Sequence, residues 1–528
     1  MTSIHGMNFV AGTHRGGGGT FAAVSPIDGR ELPGRFHAAS TADVDDCMQA
    51  ADTVAPAFAA TSGAQRGAFL DAIAEEILAV GDELVERAGL ETALPAARLT
   101  GERARTVGQL RLFADVAREA AWVDARIDRA LPDRQPLPRP DLRRMKEPLG
   151  PVVVFGSSNF PLAFSVAGGD TASALCTGNP VVVKAHRAHP GTAEIVAAAI
   201  VRAAARCGLP AGVFSLLHGA GSVIGTALVV HPAARAVGFT GSRAAGRALC
   251  NAAASRPDPI PVFAEMSSLN PVFVLPGALA EQTPQIVAGF VASLTLGVGQ
   301  FCTKPGLLFA VEGDDLVRFR GLLAEAVARV PAASMLHADI RAAFERGRER
   351  MLSLPGASVV GRAEAAADPA RTQATALVLE TAAATFLERE ECFEEVFGPY
   401  ALLVPARTAA DLRSLAARLD GQLTATIHGT PADLAAAGDL LGILSRKAGR
   451  LIVNGFPTGV EVCHAMQHGG PPPATSDSRF TSVGSAALER FIRPVCYQDV
   501  PEPLLPAALQ DGNPLGIERL VDGVRGRH

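Results

Sequence analysis

Two apolar runs, Pro151-Val152-Val153-Val154-Phe155-Gly156 and Pro180-Val181-Val182-Val183-Lys184, decide how this chain folds. Short uninterrupted runs of β-branched residues are typical of strands that are buried on both faces of a parallel sheet. Similar runs recur at 213–217 and 236–240, and a helical pattern that begins near Thr192 separates the second run from the third. Strands that alternate with helices in this way predict an α/β domain with a parallel sheet, the architecture that binds dinucleotides.

The same alternation restarts after Asn270, which predicts a second α/β domain. Strands are expected at 271–275 and 307–311, with a long helix near 284–297 between them. A chain of 528 residues is too long for a single core, so more than one domain agrees with its length.

The segment before the first apolar run has a different pattern. Residues 41–125 carry apolar side chains at helical spacing, and the four prolines of 131–141 predict an extended connection. A further strand is expected late in the chain, at 491–497.

Composition excludes several classes of function. Hydrophobic residues make up 48% and charged residues 19%, and the net charge of −5 is spread out, so nucleic-acid binding is not expected. None of the eight cysteines forms a C-x-x-C pair, which argues against a zinc knuckle and a redox dithiol. No metal ion is expected. The first residues lack a secretory signal and no membrane-spanning run stands out, so a reducing cytoplasm is the expected location.

The stretch Gly299-Gln300-Phe301-Cys302-Thr303 contains the most distinctive cysteine. The glycine permits close backbone approach, and the amide side chain beside it supplies hydrogen bonds. A thiol acts as a nucleophile only as thiolate, in a semi-exposed site with donors nearby. Because most free cysteines are small buried hydrophobes, Cys302 in isolation fits either role.

Polar groups at the ends of predicted strands are further candidates. Glu265 suits a general base, Asn159 suits an oxyanion donor, and Lys184 can reach a phosphate or ribose. Gly241 and Ser242 open a helix whose free N–H groups attract phosphate. Each also has a structural alternative. Glu265 also fits a buried carboxylate that is hydrogen-bonded for structure, and Asn159 a residue that stabilises a turn. Lys184 also fits the exposed end of a strand, and Gly241-Ser242 an ordinary strand-to-helix turn.

Taken in order, these motifs resemble the aldehyde dehydrogenase superfamily over nearly the whole chain. The matching motifs are Asn159-Phe160-Pro161, Val183-Lys184, Phe239-Thr240-Gly241-Ser242, Glu265, Gly299-Gln300-Phe301-Cys302-Thr303 and Glu395-Val396-Phe397-Gly398-Pro399. The resemblance is closer to a branch of α-ketoglutaric semialdehyde (2,5-dioxovalerate) dehydrogenases and NADP-dependent fatty aldehyde dehydrogenases. The branch motifs lie at 157–171, 265–271, 454–462 and His468-Gly469-Gly470-Pro471.

The resemblance implies an α/β aldehyde dehydrogenase fold. Its parts are a Rossmann-like dinucleotide-binding domain, an α/β catalytic domain and a small β oligomerisation arm, which implies a homodimer or homotetramer. The expected boundaries are 1–132 and 151–267, with 465–490 returning to them, for the cofactor domain; 268–464 for the catalytic domain; 133–150 and 491–503 for the arm; and 504–528 for a C-terminal tail.

It also implies a mechanism. The Cys302 thiolate attacks the aldehyde carbon, and Asn159 with the Cys302 backbone N–H holds the resulting oxyanion. Hydride passes to a nicotinamide and leaves a thioester, and Glu265 then activates water for its hydrolysis.

Cofactor residues follow from the same resemblance. Lys184, Gly241 and Ser242 would meet the adenosine ribose and pyrophosphate, while Glu395 and Phe397 would hold the nicotinamide ribose. NAD-preferring relatives often have Glu three positions after Lys184, where this chain has Arg187 beside His186. A fixed cation favours a 2′-phosphate, so NADP is the expected cofactor, with NAD possible and a solvent-facing Arg187 as the alternative.

The sequence contains little information about the identity of the substrate. Phe160, Phe164 and Phe301 flank the catalytic groups and are expected to line the tunnel, although plain core packing is the alternative. The branch implies oxidation of 2,5-dioxopentanoate to 2-oxoglutarate. Residues 156–170 contain no basic residue that could bind the carboxylate of this substrate, and Lys304 is the only basic residue near Cys302 in the sequence.

Other readings stay open at this point. The loop at 456–468, with Thr458 and His464, is one place to look for a carboxylate-binding group. A fatty or aromatic aldehyde is the competing substrate. A non-catalytic paralogue is disfavoured because Cys302, Glu265 and Asn159 are all present, and a CoA-acylating enzyme because such relatives usually lack the base glutamate.

Overall fold

Two seven-stranded sheets form the framework of the chain, whose computed structural model describes residues 4–368 and 370–527. Residues 1–3, part of the segment searched for a secretory signal, lie outside this range. The strands are β1 (Asn8–Val10), β2 (Thr13–Arg15), β3 (Thr20–Phe21), β4 (Phe36–His37), β5 (Arg126–Asp128), β6 (Leu142–Pro148), β7 (Val152–Phe155), β8 (Val181–Lys184), β9 (Phe214–Leu217), β10 (Ala236–Thr240), β11 (Val262–Glu265), β12 (Val272–Val274), β13 (Leu307–Val311), β14 (Ala333–Ser334), β15 (Ser358–Arg362), β16 (Gln373–Ala374), β17 (Leu377–Glu380), β18 (Tyr400–Ala406), β19 (Gln422–His428), β20 (Ala448–Val453), β21 (Ile492–Gln498), β22 (Arg519–Val521) and β23 (Val524–Gly526).

The helices surround these sheets. They are α1 (Thr41–Ala59), α2 (Gly63–Val80), α3 (Asp82–Thr92), α4 (Ala96–Glu119), α5 (Gly169–Thr177), α6 (Pro190–Arg206), α7 (Thr226–Val230), α8 (Arg243–Ala254), α9 (Pro276–Glu281), α10 (Thr283–Thr295), α11 (Asp314–Ala328), α12 (Ala338–Leu352), α13 (Ala383–Glu388), α14 (Ala409–Arg418), α15 (Pro431–Ala436) and α16 (Gly438–Leu444). Within the described residues, no helix has the length and apolar character needed to cross a membrane.

The first sheet has the strand order β11-β10-β7-β8-β9-β1-β2, and β7 to β11 run parallel. The apolar runs that open the sequence analysis form β7 and β8, so these strand predictions are confirmed. The antiparallel edge pair β1 and β2 was not predicted. The strand order changes direction at β7, because β8 and β9 lie on one side of it and β10 and β11 on the other. The segments that follow β7 and β10 therefore leave the sheet in opposite directions, which opens a crevice for a ligand.

The second sheet has the order β15-β17-β18-β13-β12-β19-β20 and is parallel except for its edge strand β15. The strands expected at 271–275 and 307–311 are β12 and β13, and the helix expected near 284–297 is α10. Phe273 of β12 and Phe309 of β13 stack with their ring centroids 4.7 Å apart in the buried core below the sheet. A second α/β core is therefore confirmed.

A smaller sheet, β21-β6-β5-β22-β23, is separate from the two large sheets in its strand pairing, but Ile127 of β5 and Val521 of β22 are buried in the same core as the first sheet. β21 pairs antiparallel with β6 across its whole length and occupies one edge of the sheet. Residues 504–528, expected as a tail, supply β22 and β23, and β22 pairs parallel with β5. The domain boundaries drawn from the sequence stay predictions.

Helices α1 to α4 occupy the region where the sequence predicted helices, and α4 reaches the site described below. Its Glu102 is buried, and one carboxylate oxygen accepts hydrogen bonds from the N–H groups of Leu162 (2.9 Å) and Ala163 (3.0 Å). This side chain fixes the loop that follows β7.

Candidate active site

Cys302 lies in the loop that joins α10 to β13, and an unusual backbone turn precedes it. Gly297, Val298 and Gly299 have φ of 57°, 59° and 66°, all in the left-handed region. A β-branched residue such as Val298 rarely adopts this conformation, and backbone strain of this kind concentrates at functional sites. The turn aims the backbone so that the thiol faces the interior of the site.

Gly299 is required because another backbone approaches it closely. A Cβ at this position would lie 2.3 Å from the carbonyl carbon of Gly398. The close approach brings the cysteine loop against the segment that contains Glu395 and Phe397. The sequence prediction that Gly299 allows close backbone contact is confirmed.

Amide side chains hold the loop in place. Gln300 donates from Nε2 to the Gly297 carbonyl oxygen (3.0 Å) and accepts from the Leu336 N–H (3.0 Å). Asn270 Nδ2 donates to the carbonyl oxygen of Cys302 (2.8 Å). The sulfur is therefore positioned by hydrogen bonds to its own loop.

Asn159, in the loop after β7, lies next to this turn. Its Nδ2 donates to the Gln300 carbonyl oxygen (3.1 Å), and the residue is 8% exposed. A side-chain amide carries two N–H donors, so the second one remains available for an oxygen bound beside Cys302. This geometry suits an oxyanion donor.

Glu265 is the last residue of β11 and is buried, with 4% of its surface exposed. One carboxylate oxygen lies 2.9 Å from Nε2 of His468, and the other accepts a hydrogen bond from Ser482 Oγ (2.6 Å). Burial alone raises the pKa of Glu265, but contacts with His468, Ser482 and Cys302 outweigh it and lower the pKa. The carboxylate is thus ionised and ready to accept a proton.

His468 is a candidate functional residue that was not predicted from the sequence, where it was noted only as part of a branch motif. The Nε2 atom that faces Glu265 also lies 3.4 Å from Sγ of Cys302, and the imidazole is buried. A histidine in contact with a thiol and a carboxylate can take the thiol proton, and the resulting imidazolium is stabilised by the carboxylate.

The two glycines after His468 explain how it reaches the thiol. A Cβ on Gly470 would lie 2.1 Å from the Gln422 carbonyl oxygen, and one on Gly449 would lie 2.1 Å from that of Gly469. The chain therefore passes tightly against the starts of β19 and β20. The sequence contains a signal for this residue, a histidine directly before two glycines. Its spacing from Cys302 and Glu265 does not show that it contacts either of them.

The Cys302 thiol rests in its neutral form. Burial and the negative charge of Glu265 raise the pKa of this thiol well above its ordinary value. Deprotonation therefore depends on the adjacent base.

The same three residues could also hold a metal ion, because the ligand atoms of Glu265, Cys302 and His468 lie within 4.8 Å of one another. That the protein binds no metal therefore remains a prediction from the sequence.

The three phenylalanines expected to line the substrate tunnel form one cluster beside these groups. Phe160 packs at 5.2 Å from Phe301 and 5.3 Å from Phe164, measured between ring centroids. Phe164 lies 6.3 Å from the His468 ring. The structure therefore brings all three rings to one side of the thiol.

On the opposite side, a cavity of about 590 Å³ runs from the ends of the parallel strands to Cys302. It is lined by five of the predicted cofactor residues, Lys184, Gly241, Ser242, Glu395 and Phe397, and also by Cys302 and Glu265. Such a cavity beside a helix N-terminus at a sheet's switch point fits a dinucleotide, so the chain's residues suit NAD(P).

Arg187 is the sixth predicted cofactor residue, and the structure places it differently. It is exposed and is not among the residues that line the cavity, whereas His186 is. Burial and the charge of Arg187 lower the pKa of Lys184 to about 8. The structure therefore leaves Arg187 exposed, three residues after Lys184, and outside the lining of the cavity.

Glu395 lines the cavity, and the buried Lys304 acts on it electrostatically. Burial raises the pKa of Glu395 to about 7, with Lys304 opposing the shift. Lys304 donates from Nζ to the carbonyl oxygens of Val396 (3.2 Å) and Tyr400 (2.9 Å). Lys304 thus supports the Glu395 segment and is not free to bind a substrate.

These features define a class: a dinucleotide-dependent dehydrogenase in which a thiol forms a covalent intermediate. The thiol, the oxyanion donor and the base converge at one end of a cavity that suits the cofactor. The profile of the aldehyde dehydrogenase family matches residues 13–491, and the chain belongs to this family. The resemblance seen in the sequence is confirmed, and the chain is an oxidoreductase of a family that uses NAD(P).

Similar proteins agree with this assignment. Alpha-ketoglutaric semialdehyde dehydrogenase 2 of Azospirillum brasilense is 56% identical over 509 residues, covering 96% of this chain and 97% of the relative. Alpha-ketoglutaric semialdehyde dehydrogenase of Acinetobacter baylyi is 45% identical over 530 residues and covers 99% of both chains. Both relatives therefore align with the chain from end to end.

Solved structures confirm the fold. Betaine aldehyde dehydrogenase of Staphylococcus aureus, in complex with NAD+, superposes with a TM-score of 0.80 at 18% identity and covers 94% of this chain and 97% of its own. A structure of 3,6-anhydro-L-galactose dehydrogenase in complex with NAP gives a TM-score of 0.80 at 24% identity, covering 94% of this chain and 100% of its own.

Proposed function

We propose that the chain oxidises 2,5-dioxopentanoate (α-ketoglutaric semialdehyde) to 2-oxoglutarate with NADP+ as the oxidant. The observation that carries the reaction type is the contact of one histidine nitrogen with both Cys302 Sγ (3.4 Å) and Glu265 (2.9 Å). The substrate rests on the names of the two end-to-end relatives, at 56% and 45% identity.

The first half of the reaction forms a carbon–sulfur bond. His468 takes the proton of the Cys302 thiol, and the ionised Glu265 carboxylate stabilises the imidazolium that results. The thiolate attacks the aldehyde carbon, and the carbonyl oxygen becomes an oxyanion. Asn159 donates its second N–H to this oxygen, an interaction worth roughly 3 kcal/mol in other enzymes.

The second half breaks that bond with water. A bound nicotinamide would supply the hydride acceptor for the carbon attached to sulfur. Lys184, Ser242, Glu395 and Phe397 would hold the cofactor, because all four line the cavity that ends at Cys302. Glu265 then removes a proton from water, whose oxygen attacks the thioester carbon, and the Cys302 thiol is released with the carboxylic acid.

Support for NADP over NAD comes from charge at the mouth of the cavity. Arg187 is exposed, does not line the cavity and follows the buried Lys184 by three residues, so a 2′-phosphate that projects from the cavity mouth would meet its guanidinium. Charge-assisted bonds to phosphate favour a guanidinium.

A second candidate function is the oxidation of a fatty or aromatic aldehyde. The cluster of Phe160, Phe164 and Phe301 favours it, because apolar rings suit an apolar chain. A non-catalytic paralogue is a third candidate, and a wild-type protein that forms no NADPH with any aldehyde would support it. Undiminished NADPH production in a Cys302→Ala variant would instead overturn the cysteine mechanism.

One experiment tests these alternatives. Initial rates are measured with 2,5-dioxopentanoate, hexanal, decanal and benzaldehyde, each with NADP+ and with NAD+. The proposal expects the highest kcat/KM for 2,5-dioxopentanoate with NADP+. A higher kcat/KM for decanal or benzaldehyde would support the second candidate, and a ratio of NADP+ to NAD+ below one would remove the cofactor assignment.

Assembly and location complete the proposal. We infer a homodimer or homotetramer in which the edge strand β21 extends the sheet of a neighbouring subunit, since an edge strand presents unpaired backbone groups. Light scattering of the purified protein measures the number of subunits. The reducing cytoplasm is the compartment in which Cys302 would remain a thiol.

A further inference from the structure

Helix α4 presents two arginines to the aromatic side of the active site. Arg98 and Arg105 are two helical turns apart, so they lie on the same face of the helix. The Arg98 guanidinium lies 4.9 Å from the Phe160 ring centroid and 4.7 Å from that of Phe301. The Arg105 guanidinium lies 5.4 Å from the ring centroid of Phe164. Both cations therefore border the phenylalanine cluster beside Cys302.

The two arginines differ in whether their N–H groups have hydrogen-bond partners. Arg98 donates to the backbone carbonyl oxygen of Asn159 (2.7 Å) and lies 3.9 Å from the carboxylate of Glu102. In Arg105, Nε and Nη2 are buried and have no hydrogen-bond partner within residues 4–368 and 370–527. Buried donors of a charged group are costly to leave unpaired, so an acceptor is expected from a bound molecule.

The position of Arg105 fits the far end of a short substrate. Arg105 and His468 both lie beside the Phe164 ring, whose centroid is 5.4 Å from the Arg105 guanidinium and 6.3 Å from the His468 ring. Burial lowers the pKa of Arg105, while the charges of Cys302, Glu102 and Glu461 oppose this shift.

Other cations and donors near the site are already engaged. Arg450 donates to the carbonyl oxygens of Gly459 (3.0 Å) and Pro457 (2.5 Å), and Lys304 donates to backbone carbonyl oxygens. Of the residues named in the sequence analysis, Thr458 bonds to Ser293 (2.7 Å between hydroxyl oxygens) and His464 to Ser485 (2.9 Å from Nδ1 to Oγ).

We propose that Arg105 binds the carboxylate of the substrate and thereby selects aldehydes that carry an acid group at their far end. This inference rests on the proposed function and names the residue behind its substrate preference. A guanidinium presents paired N–H donors that match the two carboxylate oxygens.

The test compares two aldehydes of equal carbon number, 2,5-dioxopentanoate and pentanal. Wild type, Arg105→Met, Arg105→Lys and the control Arg111→Met are assayed; Arg111 is an exposed arginine of the same helix. In Arg105→Met the ratio of kcat/KM for the acid to that for pentanal should fall roughly 10- to 100-fold, mainly through KM. Arg105→Lys should recover part of the ratio, and Arg111→Met should match wild type.

Three outcomes are decisive. A ratio in Arg105→Met equal to that of wild type overturns the inference. An equal loss for both aldehydes, with the pH profile of Cys302 alkylation by iodoacetamide shifted upward, also overturns it, because Arg105 would then act on the thiolate. If wild type prefers pentanal, the proposed function fails; a further fall of the ratio in Arg105→Met would still support the carboxylate contact by itself. Thermal unfolding and NADP+ binding verify that each variant is folded.

Discussion

Burial and the adjacent Glu265 carboxylate both disfavour a thiolate at Cys302, so the thiol stays protonated until a base removes its proton. His468 is the group in contact with the sulfur, at 3.4 Å. Reactivity at this cysteine therefore depends on a histidine far away in the sequence. The pH dependence of the reaction should report this arrangement.

Replacing His468 with Gln should lower kcat/KM by about 100-fold at pH 7, the usual contribution of a general base. Because the thiol pKa is raised, the thiolate fraction without this base grows as pH increases, so the loss should shrink toward pH 9.5. Steady-state rates of both proteins across this pH range give the measurement. A loss of the same size at pH 7 and pH 9.5 would show that His468 does not serve the thiol.

Glu265→Gln should separate the two halves of the reaction. The variant keeps the shape of the side chain but cannot accept a proton from water, so the thioester should accumulate. Stopped-flow absorbance should show a burst of NADPH close to one equivalent per site, followed by turnover slowed by about 100-fold. A uniform slowing with no burst would show that Glu265 acts mainly on the His468 imidazolium before hydride transfer, and not on water.

The turn before Cys302 shows how a loop between α10 and β13 sets the position of a nucleophile. Gly299 has φ of 66° and approaches the backbone of Gly398, so an added Cβ has neither a relaxed conformation nor space. Movement of this turn would also displace Gln300, whose carbonyl oxygen accepts from Asn159. The thiol and its oxyanion donor are coupled through this short segment.

Gly299→Ala should therefore reduce kcat more than tenfold and lower the Tm. The matched control is Gly108→Ala on α4, where an added Cβ meets open space and the better helix former should stabilise the fold by up to about 1 kcal/mol. Circular dichroism melting and initial rates measure both effects. Retained activity in Gly299→Ala would mean that the Gly398 segment yields to the methyl group.

The elements of the fold were predicted more completely than the site. Strands β7, β8, β10, β12 and β13 were predicted because each is a short apolar run buried on both faces, a local pattern. The edge pair β1 and β2 was missed, since two strands of three residues carry too little periodicity. His468 and Arg105 were missed because their roles depend on contacts with residues distant in the chain.

The whole molecule places its cofactor cavity between the two α/β cores. Lys184 and Ser242 belong to the first core, whereas Glu395 and Phe397 belong to the second, and all four line the same cavity. A ligand in this cavity contacts both cores at once. Binding should therefore stabilise the chain as a unit.

NADP+ at 100 times its Kd should add about 2.7 kcal/mol to the free energy of unfolding and raise the Tm. Arg187→Ala should reduce the shift with NADP+ while leaving the shift with NAD+ close to that of wild type, because only the 2′-phosphate pairs with this cation. Differential scanning fluorimetry with each nucleotide gives the measurement. Equal losses for both nucleotides would indicate a role for Arg187 outside phosphate binding.

The sequence by itself determined the family and the two α/β cores and pointed to Cys302, Glu265 and Asn159 as candidate catalytic residues, because strand patterns and short motifs are local properties of the chain. The tertiary structure decided which groups surround the thiol. It brought His468 to Cys302 across a gap of 166 positions and set Arg105 of α4 beside Phe164. Proton transfer and carboxylate binding act over a few ångströms in space, and separation along the chain does not encode that distance.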